Sequence, residues 1–305
     1  SPLWGRLSDR IGRKPILIIG LIGGVMSYAW IAHAHTIYDL GEEVDEFGHE
    51  IDAIRVQGGW SPGVVDRRAQ RWLVGFASEE HTFRPTPNVQ LPLLLPPDRK
   101  LVYPWLGWQW VEDDYREMSE LNDMGRTEDV SLGTKVFASV GFAKPRFGSD
   151  RGATLYEFAA EMGWEAGGPG SLLLLRTGAQ TREEDVGYRN SQIYFSGDYY
   201  LRNLGRHLFS VSLDAVATDE LDPENQVLLG GDTGLRGYPI RYQAGESSAV
   251  LNVEQRFFTD FYPWRLIRVG WAVFADIGKV TGRDPRATDP LGTLYDVGAG
   301  LLCGL

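Results

Sequence analysis

Arg236 stands where an arginine can do specific chemistry. It lies in Leu229-Gly230-Gly231-Asp232-Thr233-Gly234-Leu235-Arg236-Gly237-Tyr238-Pro239, between two segments that alternate apolar and polar residues. The glycines at 230, 231, 234 and 237 allow the backbone turns that a loop needs to fold back on itself. Downstream, Glu254 and Asp276 fall on the polar sides of two alternating runs, Leu251 to Phe257 and Ile267 to Ile277. A guanidinium binds a carboxylate through two parallel hydrogen bonds, so the chemistry on offer is ion pairing. The plainer alternative is a Gly-rich hairpin with a solvated arginine.

Nothing in the chain points to catalysis. There is no G-x-S-x-G elbow, no P-loop and no H-E-x-x-H, so no enzyme and no cofactor is expected. The five histidines, His33, His35, His49, His81 and His207, show no metal-ligand spacing apart from the weak pair His33/His35. They read as surface or loop residues, with no metal. One cysteine, Cys303, excludes an internal disulfide. The net charge of -11 argues against nucleic acid as a partner. The charge is uneven: residues 1–34 carry Arg6, Arg10, Arg13 and Lys14 against Asp9, so the remainder is more acidic than the whole.

The elements that would position the arginine are strands. From about residue 50 the dominant period is two. In Tyr156-Glu157-Phe158-Ala159-Ala160-Glu161-Met162-Gly163-Trp164-Glu165, tyrosine, phenylalanine, alanine, methionine and tryptophan share one face, and the glutamates take the other. Three carboxylates on one face cannot enter a dry core unpaired, so they must meet water or a wet lumen. The same alternation recurs at 52–60, 70–79, 101–112, 131–142, 171–181, 190–202 and around Phe209 to Ala217. This gives about eleven strands of the length a tilted membrane strand needs. Short links near 166–170, 203–206 and 260–264 alternate with long ones near 142–152, 181–190, 219–247 and 278–293, the rhythm of a membrane barrel. Residues 113–130 break that rhythm, with a small helix expected from Tyr115 to Met124.

Arg236-Gly237-Tyr238, with Gly231 upstream, resembles the lumen-loop tip of the BamA/TamA family of outer-membrane barrels, the bacterial surface antigen family. Asn252-Val253-Glu254-Gln255-Arg256-Phe257 resembles the strand that follows, and Phe274-Ala275-Asp276-Ile277-Gly278 the F-x-D-x-G element of the next. The resemblance implies a loop tucked into the barrel, its arginine bound to acidic groups on the inner wall. An Arg236–Asp276 pair is expected, with Glu254 as second partner and Gly278 beside them. It also implies insertion, assembly or translocation of proteins at the bacterial outer membrane, with the lipid bilayer and client proteins as partners. The family's early strands, its periplasmic POTRA repeats and its closing strands have no counterpart here. An incompletely closed barrel is therefore expected, leaving backbone edges unpaired in lipid.

Residues 1–34 differ. Gly5-Arg6-Leu7-Ser8-Asp9-Arg10-Ile11-Gly12-Arg13-Lys14-Pro15 resembles the signature loop of major facilitator transporters, in which the positions of Asp9 and Arg13 help lock one transport state. Gly5, Asp9, Arg10, Gly12 and Arg13 are its candidate motif residues. Pro15 to Ala34 is free of charge and long enough to cross a bilayer as a helix, with an N-in, C-out orientation. Ala32-His33-Ala34 also fits a signal-peptide cleavage pattern.

The expected architecture is all-β, a partial antiparallel transmembrane β-barrel preceded by one hydrophobic helix. Its parts are 1–34, a linker at 35–49 and the barrel at 50–305. The rival readings are a major facilitator fragment fused to a barrel remnant, a non-catalytic anchor of a larger protein, and a gene remnant.

Overall fold

The computed structural model describes residues 23–304, except 90, 91, 93, 120, 122–125, 169, 204–206 and 264–266. Its strands are β1 (Gly23–Asp39), β2 (Glu42–Trp60), β3 (Val64–Val65), β4 (Arg68–Pro85), β5 (Arg99–Glu112), β6 (Tyr115–Ser119), β7 (Thr127–Ser131), β8 (Lys135–Ala143) and β9 (Ala153–Trp164). They continue as β10 (Ser171–Glu184), β11 (Gly187–Asn203), β12 (His207–Asp219), β13 (Val227–Leu229), β14 (Gln243–Gly245), β15 (Ser247–Phe258), β16 (Arg268–Thr281) and β17 (Thr293–Gly304). One 13-stranded antiparallel sheet runs in the order β1-β2-β4-β5-β8-β9-β10-β11-β12-β15-β16-β17, with the short β3 paired to β4. Among the described residues β1 and β17 do not pair, so the sheet is open.

The amphipathicity of this sheet is inverted relative to a water-soluble one. Along β16, Trp271 and Ile277 are 43% and 50% exposed, while Asp276 between them is fully buried. The same outer face continues through Val297 and Tyr295 of β17 and through Val74, Phe76, Ile54 and Val56 of β4 and β2. The inner face is polar and internally paired. Lys135 binds Glu161 at 3.2 Å and Ser139 donates to Glu157, so these two glutamates of β9 find partners across the strand pair. Arg176 binds Asp198 at 2.7 Å in the same way.

Four expectations are corrected. The hydrophobic helix over Pro15–Ala34 is not formed where the chain is described: from Gly23 it is strand, in continuous register with β2 from Gly23↔Gly59 to Asp39↔Glu42. A short apolar run does not itself distinguish helix from buried strand, and here a partner strand decides it. The supposed linker 35–49 is the end of this hairpin, closed by Leu40 and Gly41 in left-handed conformations. The expected small helix at Tyr115–Met124 begins instead as β6, which pairs with β7 from Tyr115↔Ser131 to Ser119↔Thr127. The long link at 181–190 is a two-residue turn, because β10 and β11 extend to Glu184↔Gly187. The transporter-like residues Gly5, Asp9, Arg10, Gly12 and Arg13 lie outside the described residues.

Aromatic side chains on the inner face lie over glycines of neighbouring strands. A Cβ on Gly75 would come within 2.6 Å of the Trp105 indole and 2.5 Å of the Val56 carbonyl oxygen. Trp105 is only 3% exposed, and the Arg55 guanidinium lies over its ring at 4.2 Å from the centroid. Gly75→Val should therefore destabilise the sheet by about 1–3 kcal/mol through overpacking, read as a lower urea midpoint for the refolded chain, whereas Gly58→Ala, where a Cβ meets nothing within 4 Å, should leave the midpoint nearly unchanged.

Candidate functional site

The 27-residue segment between β12 and β15 does not project away from the sheet; it crosses the inner face. Its backbone is shaped by glycine where side chains cannot fit. Gly234 has φ +109°, and a Cβ on Gly230 would sit 2.4 Å from the Pro239 carbonyl oxygen. A 3-10 turn at Gly231–Thr233 and the Leu235 carbonyl accepting from the Tyr238 amide turn the tip round. Leu235, fully buried, anchors the tip in an apolar cluster with Leu229, Val250, Val280 and Leu294.

Beside that anchor the structure brings together the arginine and the carboxylates. Arg236 donates from Nε to Asp276 Oδ2 at 2.9 Å and from Nη2 to Oδ1 at 2.7 Å, a two-pronged bond. Its Nη1 donates to Glu254, which also accepts from Arg256 Nε at 2.5 Å. The guanidinium lies 3.5 Å above the Phe274 ring centroid, a cation–π contact that fixes its plane. Asp276 has no solvent exposure and takes a further bond from Asn252 Nδ2 at 2.7 Å. Gly237 donates its amide to Asp296 at 3.1 Å, and the Tyr238 hydroxyl donates to the Tyr295 carbonyl at 3.3 Å. Gly278 leaves room for Leu235: a Cβ there would stand 3.0 Å from the leucine. A Cβ on Gly231 would stand 2.6 Å from the Tyr238 carbonyl oxygen, too close for any side chain.

A second set of charges holds the other half of the loop, and sequence reasoning missed it. Asp222 accepts from Arg182 of β10 through both guanidinium arms, at 2.7 and 3.0 Å, and pairs with Arg99 of β5 at 3.2 Å. Glu224 accepts from Arg99 at 2.6 Å. All four side chains are less than a tenth exposed. Burial works against the charged form of Asp222, but the Arg182 hydrogen bonds and the Arg99 charge outweigh it and hold its carboxyl below the usual range. The same balance, with Arg286 as partner, holds Asp284 low in the β16–β17 connection. Nothing in the spacing of Arg99, Arg182 and Asp222 marks them; they meet only because β5, β10 and the loop converge. These groups line a cavity of about 450 Å³, together with His49, His81 and Tyr103.

Gln226 carries the loop across the opening. Its Oε1 accepts from the Tyr38 amide of β1 at 2.9 Å, and its Nε2 donates to Asp284 at 2.8 Å, next to the far end of the sheet. Gly41 donates to the Arg241 carbonyl at 3.2 Å, and Thr288 donates to Asp39 at 3.1 Å. The loop thus touches both ends of the strand order, and the sheet is curled around it. Among the described residues no helix is long and apolar enough to cross a membrane, a statement that does not concern strands. The histidines are also placed differently from expectation: His33, His35, His49 and His81 lie on strands and converge, while His207 packs on Phe257 at a distant strand end.

Comparison with known proteins gives likenesses in sequence and in fold. No protein-family profile matches the chain. A 40-residue stretch is 48% identical to the class E tetracycline resistance protein of Escherichia coli, covering 13% of this chain and 10% of that protein. The fold overlays on CdiB from Escherichia coli with a TM-score of 0.41 and 15% identity, over 84% of this chain and 49% of that one. It overlays on BamA from Haemophilus ducreyi lacking POTRA domains 1–3 with a TM-score of 0.45 and 7% identity, over 92% and 59%. The chain therefore spans about half the length of these solved structures and a tenth of the curated relative.

Arg236→Ala should destabilise the tip by about 2–4 kcal/mol: it strands the buried Asp276 charge, though about a third of the arginine side chain is exposed and screened. Asp276→Asn leaves one acceptor oxygen and sets an NH2 donor against groups that now donate to the carboxylate, so it should destabilise the tip as well; thermal melts of the two variants compare them. The loop should also loosen in acid. Asp222 and Asp284 have lowered folded-state pKa values, so their stabilisation is complete above the unfolded aspartate value of about 3.9 and is lost as pH falls below it. Limited pepsin digestion should leave the 220–246 segment intact near pH 4.5 and cut it increasingly toward pH 2.

Proposed function

We propose that this chain is a β-barrel of the bacterial outer membrane, of the BamA/TamA type, working in the insertion, assembly or translocation of proteins. The observation that carries the reading is the Arg236-Gly237-Tyr238 tip turned inward onto Asp276, Glu254 and Asp296 inside a curled sheet. A loop that long and glycine-rich would cost less entropy left in solvent; its burial on charged partners supports reading it as a working part of the interior.

The inverted amphipathicity supports the membrane half of the proposal. Exposed Trp271, Val273, Ile277, Val297 and Leu301 form a continuous oily surface that water disfavours and lipid accepts. Backbone groups between paired strands are satisfied within the sheet, which is the condition for crossing hydrocarbon. The inner face, lined by carboxylates and guanidiniums, suits a wet interior through which an extended polypeptide could be held. No step here requires bond-making chemistry, so the proposed role is that of a scaffold and conduit, without catalysis. The 40-residue likeness to the tetracycline resistance protein supports a second reading, a transporter-derived piece joined to the barrel.

The test uses the full chain refolded into phospholipid vesicles. A heat-modifiable band on unboiled gels and strand-rich circular dichroism after carbonate washing are expected, as is faster folding of an unfolded outer-membrane protein added to the same vesicles. Arg236→Ala should reduce that acceleration more than it reduces membrane retention. A chain that stays in the aqueous fraction as a monomer overturns the membrane reading; a retained chain with no effect on client folding overturns the assembly role.

A further inference from the structure

We propose that His33, His35 and His49 form a binding site for a divalent transition-metal ion of the zinc class, at the open edge of the sheet near the β1–β2 turn. The three belong to one face: His33 and His35 are two apart on β1, and His33 is the direct cross-strand neighbour of His49 on β2. One nitrogen from each ring lies within 4.8 Å of those of the others. A tetrahedral zinc site needs such atoms about 3.4 Å apart, a gap that small rotations of the rings can close. The ring centroids are 5.4 to 5.8 Å apart.

The fourth histidine supplies the second observation. His49 is 5% exposed, and its Nε2 is hydrogen-bonded to His81 Nδ1 at 3.0 Å. Its Nδ1 is buried without a hydrogen-bond partner. An orphan imidazole nitrogen is costly unless something binds it. If Nε2–H donates to His81, Nδ1 carries a free lone pair, which is the state a metal needs; the other ring nitrogen of a metal-bound histidine ordinarily donates in this way. Glu224 has one carboxylate oxygen on Arg99 and the other buried and unpartnered, and its negative charge acts on His35, His49 and His81. That charge favours a cation nearby and offsets the Arg286 and Arg99 charges that act on His35 and His81. Imidazole donors select zinc, nickel or copper over calcium or magnesium, which prefer oxygen. His33 is exposed on the edge strand, so an ion can enter from solvent, and a water can fill the fourth position.

The outer face at this level agrees with a site in water. Opposite the histidines on β2 the outward residues are Glu46, Glu50 and Asp52, whereas Ile54, Val56 and Trp60 follow further along the strand. A bound ion would staple β1 to β2 on the side of the sheet where, among the described residues, β1 pairs with no strand but β2.

The untagged full chain, refolded in detergent, is titrated with Zn²⁺ in a calorimeter and with Co²⁺ by visible absorption. One ion per chain and a d–d band of a four- or five-coordinate nitrogen site are expected. The double variant His33→Gln, His35→Gln, which alters exposed and half-exposed rings, should weaken binding at least tenfold. His207→Gln should bind like the parent, and Ca²⁺ should not compete. No stoichiometric uptake by the folded parent, unchanged uptake by the double variant, or equal loss in His207→Gln overturns the proposal. Should the double variant misfold, His33→Gln alone must still lower Zn²⁺ affinity and shift the Co²⁺ band; if it does neither, the site is excluded.

Discussion

A buried carboxylate must have a partner, and Asp276 is the residue on which this constraint falls hardest. It has no contact with solvent, so its charge is tolerable only while Arg236 and Asn252 donate to it. That requirement fixes where the loop tip goes. With the tip in place, Leu235 reaches its apolar cluster, Gly237 reaches Asp296 and the guanidinium covers Phe274. The loop tip and the inner wall are therefore one assembly, joined where Arg236 and Gly237 donate to Asp276, Glu254 and Asp296.

The deeper half of the loop follows the same logic with the signs exchanged. At the tip an arginine enters a wall of acids; near residue 222 acids enter a wall of arginines, Arg99 and Arg182. Crossing charges in this way means that the loop cannot shift along the wall without leaving buried charges unpaired at both ends. This is specificity obtained at modest net stability, since buried ion pairs give back much of their attraction in desolvation. The apolar groups around Leu229 and Leu235 supply the adhesion that the ion pairs direct.

Much of this was readable from residue order. The alternation in Tyr156–Trp164 and in the 267–277 run announced strands with one oily and one charged face, and the glycine content of 229–239 announced a tightly folded loop. The position of Asp276 on the polar face of its strand was equally plain. What could not be read was convergence. Arg99, Arg182 and Asp222 are far apart in the chain and carry no shared motif, and the histidines at 33, 35, 49 and 81 meet only because β1, β2 and β4 lie side by side. The apolar run before residue 34 misled for a related reason: hydrophobicity reports burial or lipid, and only the pairing with β2 makes it a strand. Residues 181–190 and 115–119 were polar enough to look like loop and helix, yet hydrogen bonding between neighbours keeps them extended.

Through one amide side chain, Gln226 reaches both Tyr38 on β1 and Asp284 in the β16–β17 connection. Ordinary barrels owe their girth to strand number and stagger. Here, among the described residues, no ladder joins β1 to β17, so the spacing of those two edges rests on a few side-chain bonds, Gln226 and Thr288 among them, in place of a row of backbone ones.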